Sequence, residues 1–542
     1  MTTDATHSKR PHSVYAALLV VLTLWMSLPG LSAMPVIDRD EARYAQATVQ
    51  MIESGDYLNI KFQDRARNKK PAGIYWLQAG SVNALTAPGD RAIWAHRLPS
   101  VLGAILAVLA TYWAGIQILG RRGAFLAGGL LAVSALFVFE AHIAKTDAML
   151  CGLSTIVLAA LLSLRRQPSP KIAILFWGAL AGAIMIKGPI TPLLVILTLL
   201  GLFIWERQGA WMRSLINIPG IVLAALIILP WSIMIGLETN GAFFTDAIGG
   251  DLAPKIAGGQ EKHGAPPGYY LATLPILFWP GSMVLLCGIV FGVRAARKPG
   301  NDFGALPPAM RLLLCWAVPF WILLEIVPTK LPNYLLPIYP ALALMCAGAI
   351  MALLQVEAFK WSRRFGAIIF FGVSVLLVLV VLSGEALYAQ TQGFAQWIGI
   401  GLIALIFIAT GCLWSCRIKG AMLAAGVTTL ILTPLTYQFI LPKLDRLRIS
   451  DNIKTVLAST HMKLPNTGST RILSPHFTEP SLVYRLGTSI LLGDKTETWL
   501  EQPLDTGNIL IVDTAREDGK ALLTQLKTEN CLVNIGNSSR FA

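Results

Sequence analysis

The sequence predicts a polytopic α-helical membrane protein with about 13 transmembrane helices and a small α/β domain at its C-terminus. Apolar runs of roughly 20 residues, the length that a membrane helix needs, recur along the chain. Hydrophobic residues make up 55% of the sequence and charged residues only 14%, well below the roughly 25% of soluble domains. Lys and Arg also concentrate in alternate loops, as the positive-inside rule requires of a multi-span protein.

The apolar runs set the order of the predicted spans. The run from Val14 exceeds the 7–15-residue core of a signal peptide, so we expect a retained first helix with a cytoplasmic N-terminus. The stretch 171–205 is split by Lys187-Gly188-Pro189 and could form a hairpin of short helices. The spans lie near 13–33, 94–119, 123–141, 147–164, 171–187, 190–205, 215–236, 269–292, 309–327, 333–354, 365–383, 395–415 and 420–440.

Charge and cysteine content narrow the class further. The net charge of +14 is largely explained by inner loops that face an anionic leaflet, and no basic-aromatic nucleic-acid module is present. Most of the seven cysteines fall in predicted spans, without disulfide or zinc spacing, so we interpret them as small packing residues. Nucleic acid is therefore not an expected partner, whereas the membrane is.

Two domains are expected. Residues 1–441 form a transmembrane domain with two long outer loops, 34–93 and 237–268. Residues 442–542 form an outer α/β domain, because short β-type runs near 471–474, 489–492 and 508–513 alternate with helical stretches at 451–459 and 520–527. This C-terminal domain contains no phosphate-binding loop or nucleophile elbow. We expect it to have a supporting or partner-contacting role.

The loop 34–93 is far longer than an ordinary connection, and such loops tend to be functional. It begins with an amphipathic helix from Glu41 that is too short to span the membrane and should lie along the interface. A second short helix should follow Pro71. Asp40 and Glu41 at the first helix start could be an N-terminal cap. Alternatively, one carboxylate could take a proton from an acceptor hydroxyl while Arg43 binds a phosphate.

Several cations lie on the outer side, where topology disfavours them. Lys145 stands next to Asp147, Lys187 begins a Lys-Gly-Pro turn, and Lys69 and Lys70 lie in the first outer loop. Binding of an anionic head group would explain them. For Lys145 and Lys187, simple snorkelling at a helix end is the alternative.

Four segments occur in an order that points to a known family: Asp40-Glu41-Ala42-Arg43-Tyr44-Ala45, Lys70-Pro71 before Trp76, His263-x-x-Pro266 with Tyr269-Tyr270, and Lys330-Leu-Pro-Asn-Tyr-Leu-Leu-Pro337. With them the whole chain resembles bacterial membrane glycosyltransferases of the GT-C type. The lipid A aminoarabinose transferases are most alike, and the protein O-mannosyltransferases are more distant.

The resemblance implies an inverting transfer of a sugar from a polyprenyl-phosphate donor to an acceptor, lipid A or another envelope glycoconjugate. It also implies an inner-membrane enzyme whose active site faces the periplasm. Asp40 then corresponds to the residue that deprotonates the acceptor, with Glu41 beside it. The donor phosphate would contact Arg43, Lys70, Lys330 and Tyr334. Further contacts to substrate or a metal fall to Lys69, Glu261, His263, Tyr269 and Asp147.

Lys69 departs from the family pattern. The aminoarabinose transferases typically have a glutamate before the Lys-Pro lysine, and it can share a metal with the histidine that His263 resembles. A lysine cannot act as a carboxylate ligand, which argues against a divalent metal between these positions. His263 could still contact the phosphate, or bind a metal through Glu261 or the substrate.

Two rival functions share some of these sequence features. A transporter or flippase for a lipid-linked saccharide would place ionisable residues near mid-span and often show inverted repeats. This chain has its charges at one face, apart from Glu325 close to a span end, which favours an enzyme. A protein O-glycosyltransferase would differ only in acceptor, and the sequence does not distinguish that acceptor, name the sugar or indicate an oligomeric state.

Overall fold

The structure, a computed structural model, describes residues 11–258, 264–297, 306–388, 394–459, 472–496, 509–514 and 516–528. Within these ranges, nine helices are long and apolar enough to cross a membrane. The first element, α1 (His12–Ser27), is a shorter apolar helix that packs along the membrane domain. The predicted polytopic helical fold is confirmed.

The long first loop is ordered into two helices and a small hairpin. These elements are α2 (Asp40–Ser54), the antiparallel strands β1 (Lys61–Phe62) and β2 (Arg65–Ala66), and α3 (Gly73–Leu85). Gly55, whose φ is 70°, ends α2 in the left-handed conformation that glycine adopts without strain. Both predicted short helices are thus present.

Glycines mark the breaks in the next group of helices. Gly120, with φ 69° and ψ −178°, interrupts the longest helix beside Arg121 and so separates the two spans predicted there. Gly188, with φ 67°, ends one helix before the next begins, which confirms the predicted hairpin. The group comprises α4 (Ile93–Ala132), α5 (Ala135–Ala141), α6 (Asp147–Arg166), α7 (Pro170–Lys187), α8 (Ile190–Glu206) and α9 (Ile218–Glu238).

The second outer loop is mostly helical up to residue 257, and residues 264–268 form a bridge and a turn. It contains α10 (Ala242–Thr245), a π-helical turn over Asp246–Leu252, and α11 (Ala253–Ala257). Residues 259–263, which include Glu261 and His263, lie outside the described part of the chain.

The remaining membrane helices complete the bundle. They are α12 (Tyr269–Leu277), α13 (Ser282–Arg297), α14 (Leu306–Ile326), α15 (Tyr339–Leu353), α16 (Lys360–Tyr388), α17 (Phe394–Trp414) and α18 (Ile418–Pro434). The apolar part of α6 is 83% buried and that of the span Pro332–Leu353, which includes α15, is 89% buried, so both lie at the centre, whereas that of α9 is only 22% buried. An apolar face this exposed suits contact with lipid. The six cysteines described are free and buried or half-buried, as predicted.

The C-terminal region has the predicted alternation of helices and strands. Its elements are α19 (Ile449–Ser459), β3 (Ile472–Ser474), α20 (Pro480–Leu486), β4 (Leu491–Leu492), β5 (Ile509–Leu510) and α21 (Glu517–Thr528). The strands form a parallel sheet in the order β4-β3-β5. An apolar core that includes Leu457, Ile472 and Leu482 holds the helices against this sheet.

The C-terminal region is docked directly onto the first outer loop. Ser481 at the start of α20 donates its backbone N–H to Asp38 Oδ1 (2.8 Å). Arg91 donates to the Tyr484 carbonyl (2.8 Å), and the Tyr484 hydroxyl donates back to the Arg91 carbonyl (2.6 Å). Tyr484 is fully buried in this contact. α2 is therefore packed between α3 and the C-terminal region.

Candidate active site

A cavity of about 910 Å³, called here the main cavity, opens where several helices end on the same side of the bundle. It lies at the starts of α6 and α8, the ends of α7, α9 and α14, and the approach to α15. Charged residues of the first loop form one end of it. The rest is largely apolar and includes Leu150, Ile184, Ile190, Leu193, Ile228, Phe320 and Leu323.

Asp40 lines the main cavity as the first residue of α2. The residue in the capping position is Arg39, held at φ 67°, and no side chain caps this helix start. Within the described part of the chain, the Asp40 carboxylate has neither a hydrogen bond nor an ion pair. The interpretation of Asp40 as a helix cap is therefore not supported, and the carboxylate is available to a ligand.

Glu41 has the opposite environment, because its side chain is fully buried. Arg97 of α4, also fully buried, donates Nε to Glu41 Oε1 (2.8 Å) and Nη2 to Glu41 Oε2 (2.9 Å). The same carboxylate accepts from the backbone N–H groups of Ile37 and Ala144, each at 2.8 Å. Glu41 does not line the main cavity and instead fixes the start of α2 against α4 and the loop after α5.

Arg97 was not identified from the sequence. Its remaining N–H groups donate to the carbonyls of Leu31 (2.7 Å), Met34 (3.0 Å) and Pro35 (2.8 Å), so one guanidinium holds the whole turn before α2. The signal available was an arginine near the outer end of an otherwise apolar span. Such a residue needs a buried partner.

Five cations of the first loop line the main cavity together with Asp40: Arg39, Arg43, Arg67, Lys69 and Lys70. Arg67 is held in place, donating to the Tyr75 hydroxyl (3.2 Å) and lying 5.1 Å from the centre of the Tyr44 ring. Arg43 and Lys69 have no charged or hydrogen-bonding side-chain partner among the residues described. Two unpaired cations beside an apolar cavity are suited to the head group of an anionic lipid.

Lys70 also lines the main cavity but is paired. Its ammonium lies 2.6 Å from Asp251 Oδ2, and Lys255 lies 2.7 Å from the other oxygen of the same carboxylate. Burial lowers the pKa of Lys70 to about 8, although Asp251 opposes the shift. Burial alone would raise the pKa of Asp251, but the two ammonium groups outweigh it and the pKa lies below its usual value.

Asp147 forms the third charged group of the cavity wall. It accepts from Lys187 (2.5 Å) and from the side-chain amide of Asn333 (2.8 Å), and Lys145 lies 3.6 Å away. The Lys187 ammonium also lies 5.6 Å from the centre of the Tyr334 ring. Lys145 and Lys187 therefore have specific partners in the cavity wall, which argues against simple snorkelling.

Two predicted contact residues lie elsewhere. Lys330 does not line the main cavity. Its ammonium donates to the carbonyls of Leu324 and Glu325, each at 2.7 Å, and to that of Val327. All three N–H groups are thus used at the C-terminal end of α14, which does not fit the predicted phosphate contact. Tyr269 packs on Tyr270 (5.1 Å between ring centres) and likewise does not line the main cavity.

Other residues of the site were not singled out from the sequence. Asp251 and Lys255 belong to the second outer loop. Because they are far from Lys70 in the sequence, their contact with Lys70 could not be predicted from a local pattern. Asn333 stands inside the segment that begins at Lys330, and only its hydrogen bond to Asp147 reveals its role. Arg67 could have been suspected from its place three residues before Lys70.

The residues that the structure describes do not form a divalent metal site. Among the described ranges, no group of three His, Cys, Asp or Glu side chains is arranged to hold a metal ion. Lys69 occupies the position where the resemblance implies a carboxylate. Lys70 and Lys255 are already ion-paired with Asp251 of the second outer loop. The predicted ligands Glu261 and His263 lie outside the described residues.

Sequence comparisons relate the chain to membrane glycosyltransferases. The family profile described as dolichyl-phosphate-mannose-protein mannosyltransferase matches residues 69–234. An undecaprenyl phosphate-α-4-amino-4-deoxy-L-arabinose arabinosyl transferase of Proteus mirabilis is 24% identical over 97% of this chain and 98% of its own length. A similarly named transferase of Aeromonas salmonicida is 29% identical over 72% of each chain.

Solved structures share the fold. ArnT from Cupriavidus metallidurans bound to undecaprenyl phosphate aligns with a TM-score of 0.68 at 18% identity, covering 95% of this chain and 90% of ArnT. The oligosaccharyltransferase AglB from Archaeoglobus fulgidus aligns with a TM-score of 0.54 at 12% identity, covering 88% and 64%. The chain therefore has the fold of ArnT and AglB, and its sequence is similar to those of the aminoarabinose transferases and, over residues 69–234, to the protein mannosyltransferase family.

Proposed function

We propose that the chain is an inverting glycosyltransferase that moves a sugar from a polyprenyl-phosphate donor to lipid A or another envelope glycoconjugate. The observation that carries this proposal concerns the carboxylates of the main cavity. Among the described residues that line it, Asp147 and Asp251 are ion-paired with lysines, whereas Asp40 has no such partner. A carboxylate that is free, and next to cations, can take a proton from an acceptor hydroxyl.

The donor side of the proposal rests on the composition of the same cavity. The largely apolar lining of the main cavity suits a polyprenyl chain. Arg43, Lys70 and Tyr334 lie at the charged end of the cavity. The leaving group of the reaction is a phosphate that carries negative charge. Its departure needs fixed cations more than a general acid, and such preorganised charges are the largest source of transition-state stabilisation in many enzymes.

Asp251 is ion-paired with both Lys70 and Lys255. A donor phosphate has the same charge and the same hydrogen-bond acceptors as this carboxylate. We infer that the donor phosphate replaces Asp251 at Lys70 during binding, while Asp147 continues to orient Lys187. Glu41 acts in this scheme as a positioning residue, because it contacts Arg97 and the chain rather than the cavity.

The named relatives support an undecaprenyl-phosphate-linked donor. They are called transferases of 4-amino-4-deoxy-L-arabinose from undecaprenyl phosphate, and one structural neighbour binds undecaprenyl phosphate. We propose the same carrier for this chain, in the bacterial inner membrane. The positive-inside pattern supports a main cavity, a loop 34–93 and a domain 442–542 that all face the periplasm.

Mass spectrometry of lipid A and other envelope glycans, in cells with and without the gene, tests the proposal. A sugar-sized mass increase that depends on the gene is expected. Arg43→Ala and Lys70→Ala should each reduce it tenfold or more at limiting donor, since removing a charged hydrogen-bond partner costs about 1.5–3 kcal/mol. Near-normal transfer by both variants would contradict the donor-phosphate role, and an unchanged envelope would contradict the proposed function.

A further inference from the structure

A second cavity, of about 760 Å³, adjoins the main one and is called here the hairpin cavity. The β1–β2 hairpin and the turn that follows it form one side. The second outer loop contributes Asp246, Gly250 and Asp251. The remaining wall comes from the C-terminal region, through Thr478, Leu492 and Gly493. No step of the reaction proposed so far uses this cavity.

The two cavities meet at four residues that line both of them: Arg43, Arg67, Lys69 and Asp251. A transfer reaction requires the acceptor oxygen and the donor carbon to come within about 3–3.5 Å of each other. If the donor fills the main cavity, the acceptor must reach its charged end from another direction. The hairpin cavity opens onto that end.

The charges of the hairpin cavity favour an anionic ligand. Arg65 is exposed and, like Lys69, has no hydrogen-bonding or ionic side-chain partner among the residues described. Three carboxylates also line the cavity: Asp64, Asp246, which accepts from the Asn68 amide (2.9 Å), and Asp251, which is ion-paired with Lys70 and Lys255. The cavity has four cations, Arg43, Arg65, Arg67 and Lys69, against these three acids, and Asp251 is neutralised by lysines outside the lining, so the field in the cavity is positive.

The wall formed by the C-terminal region is held firmly against the hairpin. The Gln63 side-chain amide donates to the carbonyls of Thr488 (3.2 Å) and Ile490 (2.6 Å), just before β4. Gln46 of α2 also donates to the Thr488 hydroxyl (3.1 Å). These contacts, together with those of Tyr484 on Arg91, fix the wall relative to α2 and therefore relative to Asp40.

We propose that the hairpin cavity binds the acceptor, an anionic glycolipid head group, and that the C-terminal domain is its outer wall. This inference rests on the proposed function and adds a site and a role for the domain. Thr478 and Leu492 would then contact the acceptor, and Arg65 would pair with its negative charge. The domain would select the acceptor without contacting the donor.

Binding to the purified full-length protein in detergent, measured by native mass spectrometry, tests this inference with two probes: lipid A and undecaprenyl phosphate. Thr478→Trp fills the hairpin cavity from an exposed position and should weaken lipid A binding at least tenfold while undecaprenyl phosphate binds as before. Thr455→Trp, an exposed threonine of α19 outside the cavity, is the matched control and should change neither. Melting temperatures of all variants show whether they are folded.

A second variant tests the charge. Arg65 lines the hairpin cavity but not the main cavity. Arg65→Gln should therefore weaken binding of phosphorylated lipid A several-fold and leave binding of dephosphorylated lipid A unaffected. The inference is overturned if folded Thr478→Trp binds lipid A as the wild type does, if it loses undecaprenyl phosphate equally, or if Arg65→Gln affects both forms of lipid A alike. Absence of sugar transfer by a protein that binds lipid A in this pattern would instead count against the proposed function.

Discussion

Asp40 and Glu41 are adjacent in sequence, but their carboxylates face different surroundings. Asp40 lines the main cavity without an ionic partner among the residues described, whereas Glu41 is fully buried on Arg97. Consecutive residues of an α-helix point in directions about 100° apart around the helix axis. This difference is enough for one side chain to face a cavity and the next to face the core. The two residues should therefore fail in different ways when changed.

Glu41→Gln should lower stability. The substitution leaves the buried Arg97 guanidinium without its counter-charge, and removing one partner of a buried ion pair typically costs about 3–5 kcal/mol. We expect a melting temperature several degrees lower in detergent, measured by differential scanning fluorimetry. An unchanged melting temperature would mean that the Glu41–Arg97 pair does not hold the start of α2.

Lys70 should make donor binding dependent on pH. Burial lowers its pKa to about 8, so the ammonium is charged below this pH and loses its proton as the pH rises through it. Affinity for undecaprenyl phosphate should accordingly fall above pH 8. In Lys70→Arg the side chain stays charged, and the decline near pH 8 should disappear. Titrations of both proteins between pH 6 and 10 would show this; an identical decline in Lys70→Arg would assign it to another group.

At the residue scale, sequence reasoning identified side chains that are unusual for their position. Arg43, Lys70 and Tyr334 line the main cavity. They were predicted either from a charge on the side of the membrane where positive charge is disfavoured or from the family resemblance. Lys330 resembled them in sequence, but it caps the carbonyls at the end of α14. Tertiary structure decides whether this lysine lies beside the last carbonyls of α14, and the sequence alone does not show it.

At the scale of elements, the segment from Asp246 to Ala257 connects the two cavities. Its π-helical turn carries Asp251, which bridges Lys70 of the first loop and Lys255 of α11. Lys70 and Asp251 are far apart in the sequence, so no local sequence pattern predicts their ion pair. It ties the second outer loop to the first.

Asp251→Asn should strengthen donor binding. Without the carboxylate, the donor phosphate no longer competes with a neighbouring anion for Lys70 and Lys255. We expect undecaprenyl phosphate to bind on the order of tenfold more tightly at pH 7, the equivalent of about one charge-assisted hydrogen bond. Asp246→Asn, in the same turn but bonded to Asn68 rather than a lysine, is the control. Weaker binding in Asp251→Asn would show that the carboxylate helps to hold the lysines for the phosphate.

Long elements were predictable and short ones were not. Hydropathy located the spans, because a membrane helix must bury about 20 consecutive apolar residues, and charged or turn residues located the breaks at Gly120 and Gly188. The hairpin of β1 and β2 has two residues in each strand, and α20 has only seven residues. Elements of this size depend on the surfaces that they contact rather than on periodicity.

At the scale of the whole molecule, the charged groups of the main cavity gather at one end of the bundle. Asp147 begins α6, Lys187 ends α7, and Asn333 precedes α15. The C-terminal region docks at the same end through Asp38 and Arg91. A transporter would need such groups along its path across the membrane, so this one-sided arrangement fits an enzyme that works at one surface.

The orientation of that surface is open to a direct measurement. Cysteine introduced at Thr455 in the C-terminal region should react with a membrane-impermeant reagent in cells whose outer membrane alone is permeabilised. Cysteine at Gln208, exposed in the loop between α8 and α9, should react only after the inner membrane is lysed. The reverse pattern would place the main cavity in the cytoplasm and contradict a periplasmic reaction.

The central claim is that the main cavity performs sugar transfer with Asp40 as the base. The most direct measurement compares wild type and Asp40→Asn, as purified full-length proteins, for transfer from an undecaprenyl-phosphate-linked sugar to lipid A. The amide keeps the size of the side chain but cannot accept the proton. We expect Asp40→Asn to lose at least a hundredfold in rate, in line with general base catalysis, with melting temperature and undecaprenyl phosphate binding unchanged. Transfer by folded Asp40→Asn at close to the wild-type rate would contradict the account.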